Sequence, residues 1–258
     1  MNLPKCPKCG HVRSPEESRT PGICPECGLV FEKWAQRASF VPPSRRQAED
    51  AGGPAWRAAL RARLAPLPGH VDARTLYGRD ALLLMFIAWG IWLALMDYRD
   101  GEMGSSFMHA ILLPIHEAGH VLFMPLGHFM MMLGGSLFQL LLPLIAAATL
   151  LWQNRDPFGA ALGVWWCGVS MMDLAAYIYD AKNPQLVLLG GHTGEDGPHD
   201  WIYLLGVFGK VRQAQSYGAT VYWLGVLLML AGLAWAVTRC AQQHLYEAQA
   251  ARGSPARR

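Results

Sequence analysis

Charged residues are scarce in this chain of 258 residues. Asp, Glu, Lys and Arg make up 16% of it, whereas soluble domains carry roughly 25%. Hydrophobic residues make up 52%, and between Met103 and Asn154 the only Asp, Glu, Lys or Arg is Glu117. This composition excludes a disordered chain, a collagen and a secreted disulfide scaffold, and it favours a membrane protein.

The scarcity of charge begins after residue 79. Residues 1–79 hold 13 Lys and Arg against 7 Asp and Glu, whereas residues 80–258 hold 9 against 12. The first residues also lack the apolar core of a signal peptide, so we expect no cleavable signal. The sequence therefore predicts a basic soluble head followed by a polytopic membrane region.

Cysteine is concentrated in the head, where four of the six cysteines form two C-P-x-C-G turns, with 14 residues between Cys9 and Cys24. Each turn can present two thiolates to one ion, and two turns complete a tetrahedral site that prefers zinc. The expected ligands of this structural zinc are Cys6, Cys9, Cys24 and Cys27. We predict a zinc ribbon over residues 1–31, with residues 29–31 as a closing strand. A pair of redox dithiols is the alternative.

The composition of the head and of the segment after it indicates which kinds of partner the protein could bind. Residues 32–79 are rich in Pro and Gly and are predicted to be a linker, with a short amphipathic helix at 56–64 that either lies on an anionic membrane surface or is solvated. The head shows no interleaving of aromatic and basic residues, so we expect no nucleic-acid readout. The ribbon is instead expected to dock a cytoplasmic protein.

Five apolar stretches follow, at residues 81–96, 107–126, 129–152, 158–179 and 217–237. A membrane span needs about 20 apolar residues, and a sixth piece at 201–208 is too short to cross unaided. We therefore predict a mainly α protein, a polytopic helical bundle of five to six spans over residues 80–240, with a basic C-terminal tail at 241–258.

The positive-inside rule predicts how this bundle is oriented. It keeps the basic head in the cytoplasm, so strict alternation puts the loop 97–106 outside and the loop 180–200 in the cytoplasm. Five spans would then leave the basic tail outside, whereas a sixth crossing near residue 201 would return it to the cytoplasm.

The string His116-Glu117-Ala118-Gly119-His120 lies inside the second apolar stretch. The two histidines are four residues apart, so a helix presents both imidazoles on one face, where they can ligate one zinc ion. Glu117 lies beside them and can take a proton from water at that zinc. Ionisable residues inside a span are costly and usually functional, so we predict a catalytic zinc site with Glu117 as general base.

A catalytic zinc takes three protein ligands, so one ligand remains to be found. On the helix after the intervening span, Asp173 is about 10 Å from the end, which matches the depth of His116 and His120 at ~1.5 Å per residue. Asp173 is therefore the first candidate for the third ligand, and the alternative is that Asp173 is a buried carboxylate hydrogen-bonded to Ser136 or Gln139 on the intervening span. His199 in the following loop is the alternative or additional ligand, and His192 is a weaker one.

Three further side chains are candidates for supporting the site. Asp200 follows His199 and could orient an imidazole as a carboxylate beyond the ligands. Gln139 on the intervening span could hydrogen bond a zinc ligand or a substrate, and Asp180 could line the entrance.

Taken together, these sequence motifs resemble those of the site-2-type intramembrane zinc metalloproteases. The matching elements are the His116–His120 motif, the helix 129–152 and Asp173 on the next helix, and the resemblance covers residues 114–201. The family's L-D-G run has its nearest counterpart at 183–191, with leucine in place of aspartate.

The resemblance implies a zinc-dependent endopeptidase of the bacterial inner membrane that cleaves a membrane protein or peptide, with water reaching the metal from the cytoplasm. The chain would then hold two zinc ions, one catalytic and one structural. The alternative function is a non-catalytic membrane adaptor or sensor with structural zinc sites.

Overall fold

The computed structural model describes residues 4–12, 22–38 and 55–253. By contacts the chain divides into two compact units, Met1–Ala62 and Arg63–Arg258. The described residues are mainly helical and contain no strand. Their only extended pairings are two isolated antiparallel bridges, Lys5 with Val12 and Ile23 with Val30.

Two turns of the same geometry hold the four cysteines of the first unit. The Gly10 N–H donates to Cys6 O at 3.0 Å, and the Gly28 N–H donates to Cys24 O at 2.9 Å. The two glycines have φ of 77° and 67°, a conformation that any residue with a Cβ would strain. The repeated C-P-x-C-G spacing is therefore a repeated backbone structure.

The closing strand predicted at residues 29–31 is wrong. Val30 makes one bridge, and the buried Phe31 then begins helix α1 (Phe31–Ala38). The helix starts here because the Trp34 N–H donates to Val30 O at 3.0 Å, which closes a helical turn in place of a second strand pair. Helix α1 falls within the predicted linker.

Seven further helices occur in the described part of the chain. They are α2 (Ala55–Leu64), α3 (Ala73–Leu95), α4 (Phe107–Phe123), α5 (His128–Trp152), α6 (Pro157–Asp180), α7 (Asp200–Val207) and α8 (Ala214–Gly253). Short 3-10 turns lie at Glu102–Ser105, Met124–Leu126 and Val211–Gln213. Helix α2 corresponds to the short helix predicted at 56–64.

Five helical segments of the described chain are long and apolar enough to cross a membrane. They are Ala73–Leu95, Phe107–Leu126, His128–Trp152, Pro157–Asp180 and Val211–Arg252. The prediction of a mainly helical, multi-pass membrane protein is confirmed at this level. Helix α7 has eight residues and is about 12 Å long, so it is too short to cross the ~30 Å hydrocarbon core.

The first and last of these helices extend beyond the apolar sequence. Helix α3 begins eight residues before the predicted span because the Asp72 carboxylate accepts a hydrogen bond from Thr75 N and caps it. Helix α8 has 40 residues, about 60 Å, and includes most of the predicted tail. Its far end contacts the segment before α3, where Glu247 accepts from Val71 N, and the beginning of α3, where His244 Nε2 lies 2.8 Å from Asp80 Oδ2.

Helix α6 is the most buried of the five candidate spans and packs closely along α8. A Cβ on Gly168 would lie 2.4 Å from Met229 N, and one on Gly225 would lie 2.7 Å from Gly168 O. Such distances mean that the two backbones touch, as small residues permit between membrane helices.

Contacts along the helices fix their relative directions. Helices α3 and α6 run parallel, because Arg79 pairs with Asp156 near both N-termini and the Phe86 and Trp165 rings meet further along at 4.6 Å. Helix α8 is antiparallel to α3, because the Tyr222 hydroxyl, near the start of α8, donates to Ala94 O at the end of α3.

Helix α4 runs in the same direction as α3 and α6. Its His109 pairs with Asp173, and seven residues later His116 packs against Tyr177, which lies further along α6. The intervening α5 runs the opposite way, since Ala147 lies against Gly163 and Leu140 against Cys167.

The predicted alternation of the loops is therefore wrong. The loops 97–106 and 181–199 lie at the same end of the bundle, where the Tyr98 and Tyr179 rings are 5.7 Å apart and a Cβ on Gly101 would lie 2.6 Å from Leu186 Cδ2. The physical reason is the connection after α3, which folds back so that Met103 is buried. Helix α4 then starts inside the bundle and runs in the same direction.

We call this end, with the loops 97–106 and 181–213, the site end. The other end, with the start of α3 and the C-terminal part of α8, we call the basic end. The loops of the site end contain four Lys and Arg and six Asp and Glu. In the second unit, segments 63–80, 153–156 and 239–253 of the basic end contain six Arg and four Asp and Glu. The two ends thus differ in the sign of their charge.

Candidate metal centre

The two motif histidines lie on one face of α4, as their spacing predicts. Their rings are 4.9 Å apart. The face opposite them on α5 is formed by Gly135, where a Cβ would lie 2.5 Å from His116 Nε2 and 2.6 Å from His120 Nε2. The space that the imidazoles occupy therefore exists only because residue 135 has no side chain.

A carboxylate from the other side of the site meets both imidazoles. Asp200 Oδ2, at the first residue of α7, lies 3.0 Å from His116 Nε2 and 3.1 Å from His120 Nε2. The three ligand atoms all lie within 4.8 Å of one another. His116 and Asp200 are buried, and His120 is partly buried.

The outer nitrogen of each imidazole faces an acceptor. His116 Nδ1 lies 2.9 Å from Gln139 Oε1, and His120 Nδ1 lies 2.8 Å from Met131 O. Carbonyl oxygens only accept hydrogen bonds, so each Nδ1 carries a proton, and in its neutral form each ring directs an Nε2 lone pair toward Asp200. Two lone pairs and a carboxylate then converge with no donor between them, and this arrangement could hold a cation.

The backbone of Asp200 is held independently of its carboxylate. Its N–H donates to the Tyr177 hydroxyl at 2.9 Å, and the Tyr177 ring stacks on His199 at 4.3 Å. The next residue, Trp201, donates its indole N–H to Ser136 Oγ at 3.1 Å. These contacts join the start of α7 to α5 and α6 at the level of the two histidines.

Asp173, the first predicted ligand, does not belong to this group of three. Its Oδ1 accepts from His109 Nδ1 at 2.8 Å, and its Oδ2 accepts from Gln139 Nε2 at 3.0 Å. The depth estimate brought Asp173 to the correct level of the bundle, but Gln139 lies between it and His116. The structure brings Asp200 to the two histidines in its place.

The loop histidines also lie outside the group. His199 is fully buried and caps α7, accepting from Ile202 N at 3.3 Å. His192 packs against its own loop, where a Cβ on Gly197 would lie 2.3 Å from its Nδ1. Neither imidazole is among the converging ligand atoms.

Asp180 ends α6 and organises the loop that follows. Its Oδ1 accepts from Gln185 N and Leu186 N, at 2.7 and 3.1 Å. Its Oδ2 lies 3.4 Å from His199 Nε2, and neither of those two atoms forms a hydrogen bond. Asp180 therefore supports the loop that leads to Asp200.

Glu117 directly follows His116 on α4 and is partly buried. It is not one of the three converging groups. Its place on α4 is one residue after His116 and three residues before His120.

The four head cysteines form a second candidate metal site. Cys6 Sγ lies 3.7 Å from Cys27 Sγ, and Cys9 Sγ lies 3.7 Å from Cys24 Sγ. A disulfide would require about 2.05 Å, so the sulfurs are not bonded in pairs. All four sulfurs lie within 4.8 Å of one another, which is a set that could hold one metal ion.

The acidity of the head thiols reflects how closely they are packed. Burial raises the pKa of Cys6, but the backbone N–H groups of Cys9 and Lys8 outweigh burial and lower this pKa to about 6. Cys9 receives a backbone N–H from His11, which lowers its pKa, yet burial and the adjacent thiols raise it to about 12. The Cys6 thiolate therefore forms more readily than the Cys9 thiolate, and a cation among the sulfurs would favour both thiolates.

Sequence reasoning missed the position of Asp200 among the ligand atoms, and it also missed Gly135, Tyr177 and His109. Asp200 carried one available signal, because it directly precedes the apolar segment 201–208 and so stands at a helix start.

Comparison with protein-family models, with curated proteins and with solved structures finds no match to this chain.

Proposed function

We propose that the protein is a membrane-embedded zinc-dependent endopeptidase. The observation that carries the proposal is the convergence of His116 Nε2, His120 Nε2 and Asp200 Oδ2 with both Nδ1 atoms already committed to acceptors. Three protein ligands leave one position for water or substrate, which is the arrangement of a catalytic zinc and not of a closed structural one.

The donor set and its dimensions fit zinc. Two imidazoles and one carboxylate are a common catalytic zinc set. Zinc–ligand bonds of about 2.0–2.1 Å in a tetrahedron put neighbouring ligand atoms roughly 3.3 Å apart, close to the 3.0 and 3.1 Å from Asp200 to the two imidazoles. Small shifts would admit the ion.

A zinc ion bound by these residues would act as a Lewis acid that polarises a peptide carbonyl and lowers the pKa of water. The role of the chain is then to supply a base beside the metal. Glu117 takes the proton from the attacking water and returns it to the amine that leaves. The place of Glu117 on α4, between the two histidines of the site, supports this assignment.

The resemblance to site-2-type proteases supports the same proposal with one change. The order of the H-E-x-x-H helix, the intervening helix and a later aspartate is kept, but we assign the third ligand to Asp200 and not to Asp173. An aspartate that follows the 183–191 run takes the part that the L-D-G aspartate has in that family.

For the head we propose a structural zinc ribbon that docks a cytoplasmic protein. Zinc–sulfur bonds of about 2.3 Å put tetrahedral sulfurs roughly 3.8 Å apart, against 3.7 Å for both measured pairs. A unit this small buries little apolar surface, so the metal would supply much of its folding free energy.

For the orientation we propose a bacterial inner membrane with the basic end in the cytoplasm. The charge asymmetry between the two ends supports this assignment through the positive-inside rule. The metal centre then opens toward the extracytoplasmic side, since its ligands lie at the site end. This replaces the expectation that water reaches the metal from the cytoplasm, and it makes extracytoplasmic segments of membrane proteins the preferred substrates.

The function is tested by Glu117→Gln in the full chain, with Glu195→Gln in the exposed loop as the control. We expect metal content to be unchanged in both variants, because neither residue is a ligand. New protein N-termini, identified by labelling membranes of expressing cells, should appear with the wild type and Glu195→Gln and disappear with Glu117→Gln. If Glu117→Gln yields the same cleavages as the wild type, the peptidase proposal fails, and a non-catalytic adaptor explains the metal sites better.

A further inference from the structure

A chain of hydrogen bonds leaves the candidate metal centre on the side away from Asp200. His116 Nδ1 donates to Gln139 Oε1 at 2.9 Å, Gln139 Nε2 donates to Asp173 Oδ2 at 3.0 Å, and His109 Nδ1 donates to Asp173 Oδ1 at 2.8 Å. The chain crosses α4, α5 and α6 and returns to α4. Gln139 and Asp173 are buried, and the His109 side chain is 33% exposed.

The direction of the Gln139 amide decides what His116 can do. In the observed orientation the amide oxygen accepts the Nδ1 proton, so the Nε2 lone pair is free for a metal. The flipped orientation would direct N–H toward Nδ1 and require the proton on Nε2, which removes the lone pair from the site. Metal binding at His116 therefore depends on which way one amide points.

The surroundings of the amide nitrogen select the observed orientation. Its two neighbours are Asp173 Oδ2 at 3.0 Å and Ser170 O at 3.4 Å, and both only accept hydrogen bonds. A flipped amide would direct its oxygen at the Asp173 carboxylate, acceptor against acceptor. His109, which donates to the other carboxylate oxygen, holds Asp173 in this position.

We propose that Asp173 is a positioning residue that acts through Gln139 to hold His116 in its metal-binding tautomer. The proposal rests on the metal site of the proposed function. Hydrogen-bond partners behind a metal ligand typically change metal affinity by about 10- to 100-fold. Because Ser170 O still favours the observed orientation when Asp173 is changed, we expect the lower end of that range.

The test uses the full chain in detergent, with the head cysteines loaded with Zn²⁺ and the second site titrated with Co²⁺. Asp173→Asn can offer either an oxygen or an N–H to Gln139, so we expect Co²⁺ affinity about 10-fold below that of the wild type. Gln139→Glu puts a second carboxylate beside Asp173, and we expect a loss of similar size. At saturation both variants should show the wild-type Co²⁺ absorption bands, because no ligand has changed.

The double variant Gln139→Glu with Asp173→Asn gives the sharpest result. The carboxylate introduced on α5 would accept from His116 Nδ1, and the amide introduced on α6 would donate its N–H to that carboxylate and accept from His109 through its carbonyl. The hydrogen bonds that join residues 116, 139, 173 and 109 are restored with carboxylate and amide exchanged, and only the 3.4 Å contact to Ser170 O is lost. We expect the Co²⁺ affinity of the double variant to return to within about 3-fold of the wild type, well inside the 10-fold loss of each single variant.

Two results would overturn the proposal. If each single variant binds Co²⁺ as tightly as the wild type, the amide needs no partner at residue 173. If the double variant binds no better than the single variants, or its absorption bands change, Asp173 acts as a ligand or only in packing. Absence of a second metal equivalent from the wild-type chain would instead refute the metal site itself, which separates the two failures.

Discussion

Asp200 Oδ2 and His116 Nε2 lie 3.0 Å apart although 84 residues separate them in the chain. The contact joins the start of the short helix α7 to the middle of α4, across a loop that Asp180 organises. It means that the candidate metal centre is complete only when the segment 181–199 is folded against the bundle. The position of Asp200 in the candidate centre therefore depends on the folding of a whole segment, whereas the positions of the two histidines depend on one helix.

Replacing Asp200 with Ala should remove metal from the membrane domain and leave the head loaded. The Asp200 carboxylate is one of the three ligands that we propose, and its loss leaves two imidazoles, which is too few for a stable catalytic site. We expect the metal content of the purified full chain to fall from about two equivalents to about one.

The matched control is Asp196→Ala, which changes an exposed carboxylate in the same loop and should leave about two equivalents. The backbone N–H of residue 200 can still donate to Tyr177 in the Asp200 variant, so α7 keeps that anchor. Two equivalents in Asp200→Ala would show that the carboxylate is not a ligand.

Adding one methyl group at Gly135 should be as damaging as losing a ligand. A Cβ there would lie 2.5 and 2.6 Å from the two Nε2 atoms, so both rings must leave the positions in which they meet Asp200. We expect Gly135→Ala to bind metal in the membrane domain at least about 10-fold more weakly, measured by Co²⁺ titration, with unchanged loading of the head.

Gly78→Ala on α3 is the control for that substitution. No atom lies within 4 Å of its added Cβ, and Ala is a better helix former than Gly by up to about 1 kcal/mol. Equal Co²⁺ affinities of the two variants would mean that the space beside the imidazoles has no bearing on metal binding.

Features of the fold and of the candidate site that depend on a few neighbouring residues could be predicted from the sequence, whereas features that depend on contacts between distant segments could not. The His116–His120 pair and the two cysteine turns follow from spacing within a few residues, and the long apolar segments follow from composition. The third ligand could not be found in that way, because depth along a span does not say which side chain intervenes. Asp173 is at the expected depth, yet its partner is the Gln139 amide.

The direction of α4 could not be predicted from the sequence, for a different reason. Alternation assumes that every apolar segment crosses and every polar loop reverses the chain. Here the loop 97–106 contains both exposed acidic residues and the fully buried Met103. Burial of Met103 in the bundle folds the connection back, and no count of charges reveals that the next helix runs the same way.

Loss of the head metal should leave the membrane metal in place. Cys24→Ser removes one of four thiolates, and the small unit depends on the ion for its stability. We expect metal content to fall to about one equivalent and limited proteolysis to cut within residues 1–38, while Co²⁺ affinity in the membrane domain stays unchanged.

Cys240→Ser is the control, since Cys240 is buried on α8 and is not one of the four clustered cysteines. It should keep both metal equivalents and a protease-resistant head. A Cys24→Ser chain that retains two equivalents would exclude the four-cysteine site.

The orientation of the bundle predicts which residues a membrane-impermeant reagent can reach. Glu195→Cys lies in an exposed loop of the site end, and Ala250→Cys lies near the end of α8 at the basic end. In intact spheroplasts an impermeant maleimide should label the first well above the wild-type background and should label the second only after the cells are opened. The reverse pattern would put the metal centre on the cytoplasmic side. Labelling of both sites, or of neither, in intact cells would contradict the antiparallel packing of α3 and α8 that puts the C-terminus with the start of α3.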